Sequence, residues 1–124
     1  MKSTSDKKPQ IIQALGNGAY YYNYNIEEKQ ETDPQTKKER KVYYYDSVKF
    51  WDAPSYKKLV KAVIRETLNE TEEFSIINEY NAGVLGVITD TDAVAEGAKS
   101  YKEYLQFVLG VKQQVRDDLQ SAGY

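Results

Sequence analysis

Apolar and polar residues alternate along two stretches of the chain. In residues 19–26, Tyr20, Tyr22, Tyr24 and Ile26 fall on one side, and Tyr21, Asn23 and Asn25 on the other. A period of two is that of a half-buried β-strand, whose successive side chains point to opposite faces. A second stretch repeats it, with Val42, Tyr44, Val48 and Phe50 on one side, interrupted by Asp46, and Tyr43, Tyr45, Ser47, Lys49 and Trp51 on the other. Together they predict an antiparallel hairpin. The connection, residues 27–41, carries Asp33-Pro34-Gln35-Thr36 near its middle, with Glu27, Glu28 and Glu31 before it and Lys37, Lys38, Arg40 and Lys41 after it. A fold at Asp33-Pro34 sets these opposite charges across from one another. Ile11, Ile12, Ala14 and Leu15, closed by Gly16-Asn17-Gly18, fit a third short strand or a single helical turn.

Beyond residue 52 the apolar spacing changes to three and four. Asp52-Ala53-Pro54 is expected to open a helix, with Asp52 or Ala53 near the cap and Pro54 near the first helical position. Tyr56, Leu59, Val60, Val63, Ile64 and Leu68 form its apolar stripe. Thr71-Glu72-Glu73 opens a second helix, where acidic groups complement the N-terminal dipole; Phe74, Ile77 and Tyr80 line it, and Gly83 or Gly86 stops it. Residues 87–97 read as a connector whose turn and possible cap is Thr89-Asp90-Thr91-Asp92. Ser100-Tyr101-Lys102-Glu103 has the form of a capping box and precedes Tyr104, Leu105, Val108, Val111, Val115 and Leu119, which predicts a third helix. Gly110 inside it is expected to mark a close crossing. Residues 1–10, rich in lysine and serine, are expected to form a flexible tail. The predicted fold is α+β: an antiparallel tyrosine-rich β-hairpin or small sheet packed on three α-helices, in a single domain over residues 11–124.

A length of 124 residues suits one domain, and an aromatic content of 13% supplies large buried areas to an otherwise polar chain. Seventeen basic and nineteen acidic residues leave a net charge of −2, so neither nucleic acid nor a membrane is expected as a partner. Cysteine and histidine are both absent. Their absence removes disulfides, thiolate nucleophiles, the commonest general base and the commonest transition-metal ligand. No catalytic residue, metal or cofactor is therefore expected, and the protein is read as not an enzyme. Asp90-Thr91-Asp92 starts like a calcium loop, but Ala95 and Tyr101 stand where glycine and glutamate belong. No apolar run reaches signal-peptide or membrane-span length, so the expected location is the cytoplasm, unless a larger assembly carries the chain out.

The tyrosines divide by face. Tyr20, Tyr22, Tyr24 and Tyr44 are expected in the core against Leu59, Val63 and Val108, while Tyr21, Tyr43, Tyr45 and Trp51 form the candidate binding face, mixed with Asn23, Asn25, Ser47 and Lys49. An exposed aromatic face suits protein contact, self-association included; the alternative is a carbohydrate or small ligand stacked on the rings.

Tyr43-Tyr44-Tyr45-Asp46, the helix Pro54-Ser55-Tyr56-Lys57-Lys58-Leu59-Val60 running to Ile64-Arg65, the acidic start Glu72-Glu73-Phe74, and Tyr101-Lys102-Glu103-Tyr104 follow one another in order. In this the chain resembles small uncharacterised proteins of prophages and tailed phages of gut bacteria, over about residues 42–119. It departs from their pattern at Thr67-Leu68, where a tyrosine is usual, and in an insertion around residues 84–99. The group has no established catalytic residues. The resemblance implies a non-enzymatic structural or assembly role, with virion components or a second copy of the chain as partners.

Overall fold

The computed structural model describes residues 2–124. The elements are β1 (Ser3–Ser5), β2 (Ile12–Ala14), β3 (Ala19–Thr32), β4 (Glu39–Trp51), α1 (Tyr56–Thr67), α2 (Glu70–Val84) and α3 (Thr91–Ser121). The strands form one antiparallel sheet in the order β1-β4-β3-β2, so the fold is α+β.

The expected flexible tail needs correction, apart from Met1, which lies outside the described residues. Ser3, Thr4 and Ser5 pair with Tyr45, Tyr44 and Tyr43, and Lys2–Glu27 and Asp6–Arg40 ion pairs flank the strand. These residues have little apolar surface to bury, but the edge of β4 offers unpaired backbone groups that an extended segment satisfies whatever its side chains. The short patch before Gly16 is a strand, β2, on the other edge. The hairpin turns where expected: Asp33 accepts the Gln35 N–H at 2.8 Å, and Lys41 reaches Glu28 at 3.4 Å across the ribbon.

In the two long strands Tyr20 lies opposite Phe50, Tyr22 opposite Val48 and Tyr24 opposite Asp46. Tyr22, Tyr24, Val48 and Phe50 form the sheet side of the core. Leu59, Val60, Val63 and Ile64 of α1 and Val111, Val115 and Leu119 of α3 form the helix side. Tyr20 stacks on Phe50 with ring centroids 5.4 Å apart, and Tyr22 on Tyr24 at 5.0 Å. Tyr22 is fully buried, and its hydroxyl donates to the Asp118 carboxylate of α3. Burial pushes the Tyr22 phenol up, so the proton stays on the hydroxyl and the bond ties sheet to helix.

A β-bulge between Tyr24 and Glu27 then breaks the alternation, so that Asn25 and Ile26 share one position opposite Tyr45. Asn25 takes φ 52°, a left-handed conformation that asparagine tolerates better than most residues. Ile26 consequently leaves the core row. Asn25, expected on the far face, instead donates to Asp46 at 2.9 Å and accepts from Gln114 of α3 at 2.6 Å. Tyr44 is also corrected. It lies half-buried outside the core cluster, its hydroxyl on Glu31 and its ring 5.0 Å from the Lys29 ammonium.

The helix boundaries shift for local reasons. Asp52 takes φ 66° and its N–H bonds the Gly18 carbonyl, so it turns the chain off β4; the cap of α1 is Ser55, which accepts from the Lys58 N–H at 3.3 Å. Asn69 caps α2 in the same way through the Glu72 N–H at 2.8 Å. At the other end Gly86, at φ 76°, lets the Val87 N–H return to the Ala82 carbonyl at 2.9 Å and close the helix. Most of the expected connector is helical: Asp90 accepts from Asp92 and Ala93, and α3 runs from there through Ser100 without a break. Its first half lies on α2 and its second half on α1 and the sheet. The close approach is at Gly97, where an added Cβ would sit 3.6 Å from the Glu79 carbonyl oxygen, whereas Gly110 faces open space.

No residue of α2 is fully buried. Its Glu73 accepts from the Tyr104 hydroxyl of α3 at 2.6 Å and from Arg65 of α1 at 2.9 Å, so one carboxylate joins three helices. The ring contact of Tyr80 with Tyr101, at 4.3 Å, extends the seam.

Gly110→Ala is expected to raise stability by about 0.5–1 kcal/mol, since nothing opposes the new methyl and helix propensity favours it. Gly97→Leu is expected to lower stability by separating α2 from α3, and urea denaturation of both variants checks the contrast. The Tyr104 and Arg65 hydrogen bonds hold the Glu73 carboxyl below its ordinary value of 4.5. Its stabilisation is therefore complete above that value and fades as pH falls through the lowered one. The stability advantage of the wild-type chain over Glu73→Gln is expected to shrink below about pH 4.5, measured by denaturation at a series of acidic pH values.

Candidate functional site

The same register that sends Tyr22, Val48 and Phe50 under the helices sends their neighbours to the other side. Trp51 lies opposite Ala19, Lys49 opposite Tyr21 and Ser47 opposite Asn23; Gln13 of β2 pairs with Tyr21, and Ser3 and Ser5 of β1 pair with Tyr45 and Tyr43. Tyr21, Tyr43, Tyr45 and Trp51 thus share one face, and none of them belongs to the core cluster. Tyr21, Tyr43 and Tyr45 are half-buried by their neighbours in the sheet, and Trp51 is 56% exposed.

The centre of this face is a trough of about 410 Å³ lined by Ser3, Gln13, Tyr21, Asn23, Tyr45 and Ser47, with a contribution from every strand. Asn23 is only 1% exposed. Its side-chain amide donates to the Gln10 carbonyl at 2.8 Å and to the Gln13 side-chain oxygen at 3.3 Å, which meets the requirement that a buried polar group be partnered. Asn23 and Gln13 are thereby held in place beside the two rings. All six lining residues are uncharged. A trough of hydroxyls and amides between tyrosines matches an uncharged polar surface, which it meets by ring contact and hydrogen bonding together.

Of the four candidate residues, the trough brings together Tyr21 and Tyr45. Tyr43 lies two residues along β4 from Tyr45, and Trp51 lies toward the other end of that strand. The Lys49 ammonium sits 4.8 Å from the Trp51 ring centroid, a cation–π contact at the rim. Sequence reasoning missed Ser3 and Gln13. They come from three-residue edge strands, and strands that short carry no period to read. A second exposed apolar feature lies far along the chain, where Val84, Leu85 and Val87 surround the turn from α2 toward α3.

No protein-family model, no curated protein and no solved structure matches this chain.

Replacing Tyr43 and Tyr45 together by serine is expected to change folding stability far less than Tyr22→Ala. The latter should cost roughly 3–5 kcal/mol through lost burial and a residual cavity. Equilibrium urea unfolding of the two variants measures the difference; comparable losses would contradict the division of the tyrosines by face.

Proposed function

We propose that the protein works by contact with other protein and not by catalysis, as a structural or assembly component of phage or prophage origin. The observation that carries the contact reading is the sheet face with Tyr21, Tyr43, Tyr45 and Trp51, which lies outside the core cluster. Tyrosine and tryptophan offer broad, rigid contact area at low entropic cost, and the serines and amides between them adapt to a partner's polar groups. The exposed Val84, Leu85 and Val87 add an apolar surface of the kind that protein contacts cover. The phage origin rests on the resemblance over about residues 42–119, and with that origin the chain would act in the virion or in the cytoplasm where virions are built. No described helix is long and apolar enough to cross a membrane.

The second reading is a carbohydrate- or small-ligand-binding module. It is favoured by the trough itself, where Asn23, Gln13 and Ser47 lie between the rings of Tyr21 and Tyr45. A neutral sugar stacks on such rings and bonds such amides.

Sedimentation velocity over a range of concentrations separates the readings. The wild-type chain is expected to self-associate, or to bind purified virion proteins, and the Tyr43→Ser, Tyr45→Ser variant to lose this by at least tenfold while unfolding at the same denaturant concentration. Saturable binding on a glycan array that disappears in Tyr21→Ser, with no protein contact in either assay, would replace the first reading by the second.

A further inference from the structure

Between α1 and α3, on the opposite side of the molecule's sheet from the tyrosine trough, runs a groove of about 380 Å³ with Val60 and Ile64 in its floor and lysines along its rim. Lys57 and Lys61 line it from α1, and Lys112 from α3. The groove continues past the ring of Tyr56, over which the Arg116 guanidinium lies at 5.7 Å. The single carboxylate in the lining, Glu73, is already engaged by Arg65 and Tyr104. None of Lys57, Lys61, Lys112 or Arg116 has a carboxylate within 4.0 Å among the described residues, as is true of most of the basic residues; what sets these four apart is that they line one seam.

The spacing makes this concentration of charge informative. Lys57, Lys61 and Arg65 follow one another at four-residue steps along α1, and Lys112 and Arg116 do the same along α3. Like charges four apart on a helix repel, so the arrangement opposes the stability of both helices. A chain with net charge −2 nevertheless gathers four unneutralised cations on one seam. Apart from the contact of Arg116 with the Tyr56 ring, the fold gives these charges no carboxylate within ion-pair distance, and an anionic ligand would supply one.

We propose that the seam between α1 and α3 is a docking groove for an acidic amphipathic helix of a protein partner. The carboxylates of such a helix would meet Lys57, Lys61, Lys112 and Arg116, and its apolar residues would rest on the half-buried Tyr56 ring, the lysine stems and the edges of Val60 and Ile64 that the core leaves uncovered. The apolar surface between the cations, contributed chiefly by Tyr56 and the lysine stems, is what selects this occupant, because a phosphate backbone needs the cations but gains nothing from it. From Tyr56 to Arg65 the groove is about 14 Å long at 1.5 Å per residue, which matches two to three turns of a bound helix. The site shares no residue with the tyrosine trough and does not depend on it.

The test uses the full chain and a fluorescent 14-residue helical peptide with glutamates on one face and leucines on the other, followed by anisotropy. Three probes run beside it: the same composition scrambled to destroy the amphipathic face, a lysine-for-glutamate version, and a single-stranded oligonucleotide. Saturable binding of the first peptide is expected, at least tenfold tighter than any of the three and weakening with added salt. Lys61→Glu with Lys112→Glu is expected to reduce it at least tenfold with an unchanged or raised melting temperature, because Lys61→Glu relieves the repulsion along α1. The Tyr43→Ser, Tyr45→Ser variant should bind the peptide as the wild type does. Equal binding of the scrambled peptide, tighter binding of the oligonucleotide, no binding at all, or a charge-reversed variant that melts several degrees lower would each overturn the proposal.

Discussion

The pairing of Tyr22 with Val48 is the constraint on which the rest of the structure depends. Side chains alternate along a strand, and directly paired residues share a face, so this one register sorts the residues of both long strands as far as the bulge at Asn25. A slip by one position would turn one of the two strands over, either burying Tyr21 in place of Tyr22 and Tyr24 or burying Lys49 and Ser47 in place of Val48 and Phe50. Burying an aromatic or large aliphatic side chain contributes about 1.5–3 kcal/mol each, so the slipped sheet would forfeit one strand's share of the core that α1 and α3 complete. The hydroxyl of Tyr22 strengthens the choice. Its bond to Asp118 is available only when this tyrosine faces α3, and an unpartnered buried hydroxyl or carboxylate would be costly.

That register also explains why both faces of the sheet are rich in tyrosine and yet behave differently. On the helix side the rings stack on one another and on aliphatic side chains. On the other side they alternate with serine, glutamine, asparagine and lysine, and no hydrophobic cluster forms over them. The bulge at Asn25 limits the helix side. Past it Val42 is buried, and the other side chains of the ribbon carry Glu28–Lys41 and Lys29–Glu27 pairs. Such exposed pairs contribute little individually, in the range of 0–1 kcal/mol, so the distal ribbon owes its order mainly to backbone pairing.

The helices divide the work in a comparable way. α1 and the second half of α3 are held by burial, while α2 is held to the first half of α3 by a carboxylate, a ring contact and a glycine. An attachment of this kind is more easily loosened by acid and substitution than a packed core. The polar junction at Glu73 and the cation-rimmed groove are adjacent, since Arg65 belongs to the lining of the groove and to the clasp at once. Neutralising Arg65 through Glu73 leaves the other four cations of the seam as its unbalanced charge.

Local period and local chemistry by themselves determined much of this protein. The two-residue alternation around Tyr22 and Val48, the turn at Asp33-Pro34, the α1 stripe from Leu59 to Ile64 and the common face of Tyr21, Tyr43, Tyr45 and Trp51 all express repulsions and preferences acting within a few residues. What only the tertiary structure decided concerns partners distant in sequence. Ser3–Ser5 is a strand because β4 has an open edge, and Ser3 and Gln13 reach the trough because sheet order brings both edges to it. Tyr44 leaves the core because Glu31 and Lys29 of the neighbouring strand take up its hydroxyl and ring, and Ile26 because Asn25 absorbs a bulge. Gly97, and not Gly110, marks the close crossing, because a glycine's neighbours across a helix pair are invisible in its own sequence. The cationic seam belongs to the same class: Lys57 and Lys112 lie 55 positions apart (112 − 57), and only the packing of α1 on α3 sets them beside one groove.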